Sequence, residues 1–110
     1  MKYAVVLVAL GLMAAPWARA EFNPPVAVRT VPPVYPESMR RDHITGLVLV
    51  NCEIDAHGNV AATKVEKATN PEFEEPALAA LRRWKFKPAQ RDGAPVPTRV
   101  SIPIKFLLEG

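Results

Sequence analysis

The sequence predicts a small α+β domain, one helix packed on an antiparallel sheet. Two segments alternate apolar and polar residues with period two, "GLVLVNCEID" and "TRVSIPIKFLL", and between them Phe73, Ala77, Leu81 and Trp84 recur at helical spacing. In the first strand Val48, Val50, Cys52 and Ile54 share one face; in the second Val100, Ile102, Ile104 and Phe106 point inward and Arg99, Ser101 and Lys105 outward.

The chain has 110 residues and opens on an export pattern. Lys2 precedes an apolar run from Tyr3 to Ala15, and Ala18 and Ala20 stand at the small-residue positions of a cleavage site. The run is shorter than the roughly 20 residues of a membrane-spanning helix. The expected product is a periplasmic chain starting at Glu21, with inner-membrane anchoring only if residues 1–20 are retained. Cleavage removes Lys2 and Arg19, leaving 12 basic against 11 acidic residues and a net charge of +1. So balanced a surface argues against nucleic acid as a partner.

Residues 21–33 form a proline-rich tether or an extended edge, because each proline of "EFNPPVAVRTVPPVYP" holds its own φ and biases its predecessor to extended backbone. Residues 34–110 are the domain. Pro36 opens a short N-terminal helix that Gly46 ends. In "DAHGN", Asp55 can accept backbone hydrogen bonds and Gly58 can adopt positive φ, which makes a hairpin with a bulge. The return strand changes parity between Val60 and Val65, so an irregularity is expected near Ala61 or Ala62, with Thr63, Val65 and Lys67 in register beyond it. The main helix is expected over residues 74–83, with Pro76 in its first turn. "KPAQRDGAPVP" reads as a turn region. Pro103 marks the last strand as an edge whose ring nitrogen faces away from the neighbouring strand.

No catalytic or cofactor-binding pattern emerges. His43 and His57 are the two histidines, at a helix end and a hairpin tip, a spacing that assembles no metal site. Glu72, Glu74 and Glu75 complement a helix N-terminus. Cys52 has no partner cysteine and reads as a small buried side chain. The expectation is a protein with no cofactor, no metal and no small-molecule substrate, and not an enzyme.

Four segments, "YP" at 35 and 36, "GLVLVNCEIDAHGNV", "ALAALRRWKFKPAQRDG" and "VSIPIKF", together resemble the TonB C-terminal domain family from about Val34 to Leu108. The resemblance implies a three-stranded antiparallel sheet packed by one main helix. It makes Tyr35, Pro36, Gly46, Asp55, Gly58, Trp84, Phe86, Pro88, Gly93 and Phe106 a motif that is mainly structural. It also implies an energy transducer's periplasmic domain that grips an outer-membrane receptor, or another envelope protein, by adding an extended segment to a sheet edge. The edge strand at Arg99, Ser101, Pro103 and Lys105 is the expected docking site. The short tether and cleavable-looking export segment support gripping rather than coupling to a proton-driven inner-membrane complex. The alternative is a soluble homodimeric adaptor whose free edge pairs with its own copy.

Overall fold

The computed structural model describes residues 21–108; the expected export segment lies outside them. In chain order the elements are β1 (Phe22–Asn23), β2 (Val26–Arg29), α1 (Glu37–Arg41), β3 (Gly46–Ile54), β4 (Val60–Ala68), a 3-10 turn (Pro71–Phe73), α2 (Glu74–Leu81), β5 (Lys85–Lys87), β6 (Ala89–Arg91), β7 (Ala94–Val96) and β8 (Thr98–Phe106). The main sheet has the order β4-β3-β8, antiparallel throughout.

Alternation builds the core. Val48, Val50, Cys52 and Ile54 of β3 are fully buried and meet Phe73, Ala77 and Leu81 from the helical layer. Ile104 and Phe106 complete the layer from β8. Burying a side chain such as Phe106 stabilises the fold by roughly 2 to 3 kcal/mol.

Pro36 caps α1 in extended conformation, and its carbonyl accepts the Arg40 amide at 2.9 Å. The helix ends at Arg41, earlier than Gly46: His43 takes φ 56 and turns the chain back so that the Ile44 amide reaches the Met39 carbonyl. Gly46 has another duty. A Cβ there would come within 2.4 Å of the Phe73 ring, so the strand approaches the helical layer only because no side chain intervenes. α2 also stops short of the expected Arg83, the chain tightening through Arg83 and Trp84 amides that donate to the Ala80 and Leu81 carbonyls.

The β3–β4 hairpin follows the expected chemistry. Asp55 Oδ1 accepts the His57 and Asn59 amides, both at 2.9 Å, and Gly58 has φ 85. A bulge falls at Ala61, where Glu53 pairs with Ala62 but Ile54 with Val60. A second, unexpected bulge at Glu66 moves Lys67 out of register with Val65, so Lys67 is exposed and Ala68 turns toward the core.

The turn region and the tether are more structured than their composition suggests. β6 and β7 form a hairpin through Asp92 and Gly93, both at positive φ. β2 pairs with β5, and β1 pairs with β6 at the same offset: Phe22 faces Arg91 and Val26 faces Lys87. The two pairings share one register along residues 22–27, interrupted where Pro24 and Pro25 meet Pro88 and Ala89, since proline cannot donate to a ladder, and the register shifts between Ala27 and Arg29. Within residues 21–33, Phe22–Asn23 and Val26–Arg29 are paired as strands, and residues 30–33 carry no regular element.

Candidate functional site: the free edge of the last strand

β8 stands at one end of the main sheet, and among the described residues no strand pairs with its second side. Which of its backbone groups face that side follows from β3. The Leu47 amide donates to Thr69 Oγ1 and the Leu47 carbonyl accepts the Thr69 amide, both at 3.0 Å, so Leu47 directs its backbone toward β4. By alternation Gly46, Val48, Val50, Cys52 and Ile54 direct theirs toward β8, where they meet Phe106, Ile104, Ile102, Val100 and Thr98. The backbone groups of Arg99, Ser101, Pro103 and Lys105 consequently point to the free side. Pro103 sits there without cost to the sheet and removes one donor from the open row.

The side chains of these four residues stand on the exposed face of the sheet. Arg99 is tied to Glu53 through Nη2 and Nε at 2.9 and 3.1 Å, and Ser101 Oγ donates to Glu66 Oε1 at 2.6 Å. Lys105 has no hydrogen-bonded or ionic partner among the described residues. Two depressions bracket the strand. One of about 270 Å³, near its start, is lined by Ile54, Asp55, Pro97 and Arg99. The other, of about 300 Å³ near its end, lies between residues 30–33 with Trp84 and residues 103–105.

The remaining motif residues hold this edge in place. The Tyr35 ring meets Phe73 and Phe106 edge-on at 5.7 and 5.6 Å, while Phe73 and Phe106 stack at 4.3 Å. The Tyr35 hydroxyl donates to the Ile44 carbonyl. Asp55 is held below the ordinary carboxylate range, first by the Asn59 amide and also by that of His57. A Cβ on Gly58 would lie 1.8 Å from the Phe86 carbonyl, and the Phe86 amide donates to the Gly58 carbonyl at 2.8 Å. The D-x-x-G turn and the W-x-F-x-P step are thus in contact. Phe86 is buried and Pro88 half-buried beside it. Trp84 is half-buried and packs against the core cluster, and its Nε1 donates to the Val31 carbonyl at 2.9 Å. Gly93 makes the β6–β7 turn, with open space around it. Cys52 is buried in β3, which pushes its thiol up to about 11.

The contact between Trp84 and the proline-rich segment escaped sequence reasoning. Its one available signal is the pair of β-branched residues Val26 and Val28, which suits a strand but names no partner.

A protein-family profile described as Gram-negative bacterial TonB protein C-terminal matches residues 31–108. The chain is 38% identical over 89 residues to Protein TonB of Vibrio cholerae, covering 80% of this chain and 36% of that protein. It is 36% identical over 78 residues to Protein TonB of Xanthomonas campestris, covering 70% and 35%. The chain thus spans about a third of the length of these curated relatives. Among solved structures, the solution structure of the Pseudomonas aeruginosa TonB CTD superposes with a TM-score of 0.66 at 25% identity, covering 78% of this chain and 88% of that one. With the three-stranded sheet, the helical layer and the tyrosine-anchored last strand all in place, the chain belongs to the TonB C-terminal domain family.

Proposed function

We propose that this chain is a periplasmic protein-binding module. It grips an extended segment of an outer-membrane TonB-dependent receptor, or of another envelope protein, by adding that segment as a strand beside β8. The observation that carries this reading is the nine-pair register of β8 on β3, with the backbone groups of Arg99, Ser101 and Lys105 left facing outward. Main-chain hydrogen bonds then provide most of the affinity and side chains the selectivity. Within the energy transduction of TonB-dependent transport, this is the gripping step.

Processing fits the same reading. The Glu21 amide nitrogen lies 2.8 Å from Asp92 Oδ1, and the Asp92 amide donates to the Glu21 carbonyl at 2.8 Å. Cleavage after Ala20 would make that nitrogen an ammonium beside a carboxylate, strengthening the bond that starts β1. Intact-mass measurement of the cellular protein tests this: a chain starting at Glu21 is expected, and a retained segment 1–20 in membrane fractions would refute it.

The docking edge is tested by titrating receptor N-terminal peptides against wild type and Ser101→Pro. The substitution removes an outward donor and leaves the inward ladder intact. Affinity should fall by about 1 kcal/mol or more; equal affinity with an intact fold excludes this edge. Strand-mediated dimers on sedimentation, with peptide unable to dissociate them, would favour the homodimeric reading instead.

A further inference from the structure

Residues 21–31 lie on the domain as a strap pinned at both ends. At one end Trp84 Nε1 holds the Val31 carbonyl. At the other the Glu21 nitrogen donates to Asp92 Oδ1 at 2.8 Å, and the Asp92 amide returns a bond of 2.8 Å to the Glu21 carbonyl. Between the pins little is buried: Phe22, Val26 and Val28 are 45, 55 and 63% exposed, and Pro24 and Pro25 bring no donors. A strand with so little apolar burial opens easily, so its end contacts decide how often it lifts.

Asp92 stands at φ 52 in the β6–β7 turn, where an asparagine before Gly93 would serve the backbone as well. What aspartate adds is a charge. Among the described residues no cationic side chain pairs with it, and the neighbouring Arg91 guanidinium lies over the Phe22 ring at 5.2 Å instead. The group its carboxylate does bond is the nitrogen that cleavage after Ala20 would turn from an amide into an ammonium.

We propose that Asp92 captures the α-ammonium of the processed chain and so latches the strap over β5 and β6. The inference rests on cleavage after Ala20 and gives the new terminus a task. Among the described residues β5 pairs with no other strand than β2, and Ala27 lies opposite the buried Phe86. A lifted strap would therefore open a second row of backbone groups beside the core. With the strap latched, its own outer side is a poor template, broken by Pro24, Pro25 and the register shift before Arg29, and β8 is left as the regular open edge.

The test uses a chain beginning at Glu21, which carries every described element, at about pH 6, where an α-amine is charged and a carboxylate ionised. It is compared with the same chain acetylated on that nitrogen alone. Both forms are repeated as Asp92→Asn, which keeps the turn and an acceptor oxygen but removes the charge. Hydrogen-exchange protection of the amides in residues 22–29 should fall about threefold on acetylation, the size of an exposed ion pair. The β3 amides should not change, and the fall should vanish in Asp92→Asn and shrink in about 1 M salt. No fall on acetylation, or an equal fall in Asp92→Asn, overturns the capture and leaves the processing reading standing. A cellular chain that retains residues 1–20 overturns the processing reading and the latch with it, because the nitrogen then stays an amide.

Discussion

The two edges of the main sheet start from the same sort of strand and end in opposite conditions. β4 breaks register with β3 twice, at Ala61 and Glu66, while β8 keeps nine successive pairs. Each bulge inserts an unpaired residue and sharpens the local twist, which spoils the outward row of donors and acceptors as a template for another strand. β8 carries one interruption, Pro103, and is otherwise regular. The contrast supports β8 as the docking edge, and it teaches that a sheet can keep one edge open by disabling the other.

The largest effect is expected at the anchor of the regular edge. Phe106 is 1% exposed and stacks on Phe73, so Phe106→Ala should cost about 3 to 5 kcal/mol and bring so small a domain close to unfolding. Urea denaturation measures it, and a loss below about 1 kcal/mol would mean that β8 is not held by its aromatic end. Trp84, half-buried, should matter less: about 2 kcal/mol for Trp84→Ala, and about 1 for Trp84→Phe, which removes the bond to Val31 and part of the ring but keeps an aromatic in place. Equal losses for the two would show that the hydrogen bond, not the ring, carries the contact.

A proline pair sharpens the comparison directly. On β4 the Thr63 amide faces the free side, because Lys64 and Ala62 are opposite Asn51 and Glu53, which direct their backbones toward β4. Thr63→Pro should leave peptide affinity unchanged, whereas Ser101→Pro should weaken it by about 1 kcal/mol. Calorimetric titration of both variants decides between the edges; the reverse ranking would move the docking site to β4.

Two effects of pH are smaller near neutrality. Cys52 lies on the strand between the edges, with its thiol raised from 9.0 to about 11 by burial. Its neutral form is favoured by folding, so its contribution is complete below 9.0 and lost as pH climbs toward about 11. Urea midpoints across that range should fall for wild type and stay flatter for Cys52→Ala. Asp55 works in the other direction: its lowered pKa lends the hairpin stability above the ordinary carboxylate range, lost as pH drops through the folded value. Protection factors of the His57 and Asn59 amides, taken against the slower intrinsic exchange in acid, should fall on acidification, and unchanged factors would separate the turn from its carboxylate.

What the sequence by itself determined is local. The faces of β3 and β8, the stripe of α2, the Asp55 to Gly58 turn and the edge position of Pro103 depend on residues a few positions apart, so periodicity and backbone chemistry make them legible. The bulge at Ala61 was also visible, because Val60 and Val65 cannot share a face without an inserted residue. The bulge at Glu66 was not; it brings Ala68 against a core that other elements build, which no local pattern announces. Only the tertiary structure decided that Val26–Arg29 pairs with Lys85–Lys87, that Trp84 at the rim of the core holds Val31 across 53 positions, and that residues 30–33 wall a groove at the edge of β8. Proline makes that segment extended without naming a neighbour. Its partners are chosen by which surface remains apolar and which backbone groups remain unpaired after the sheet and helix have packed.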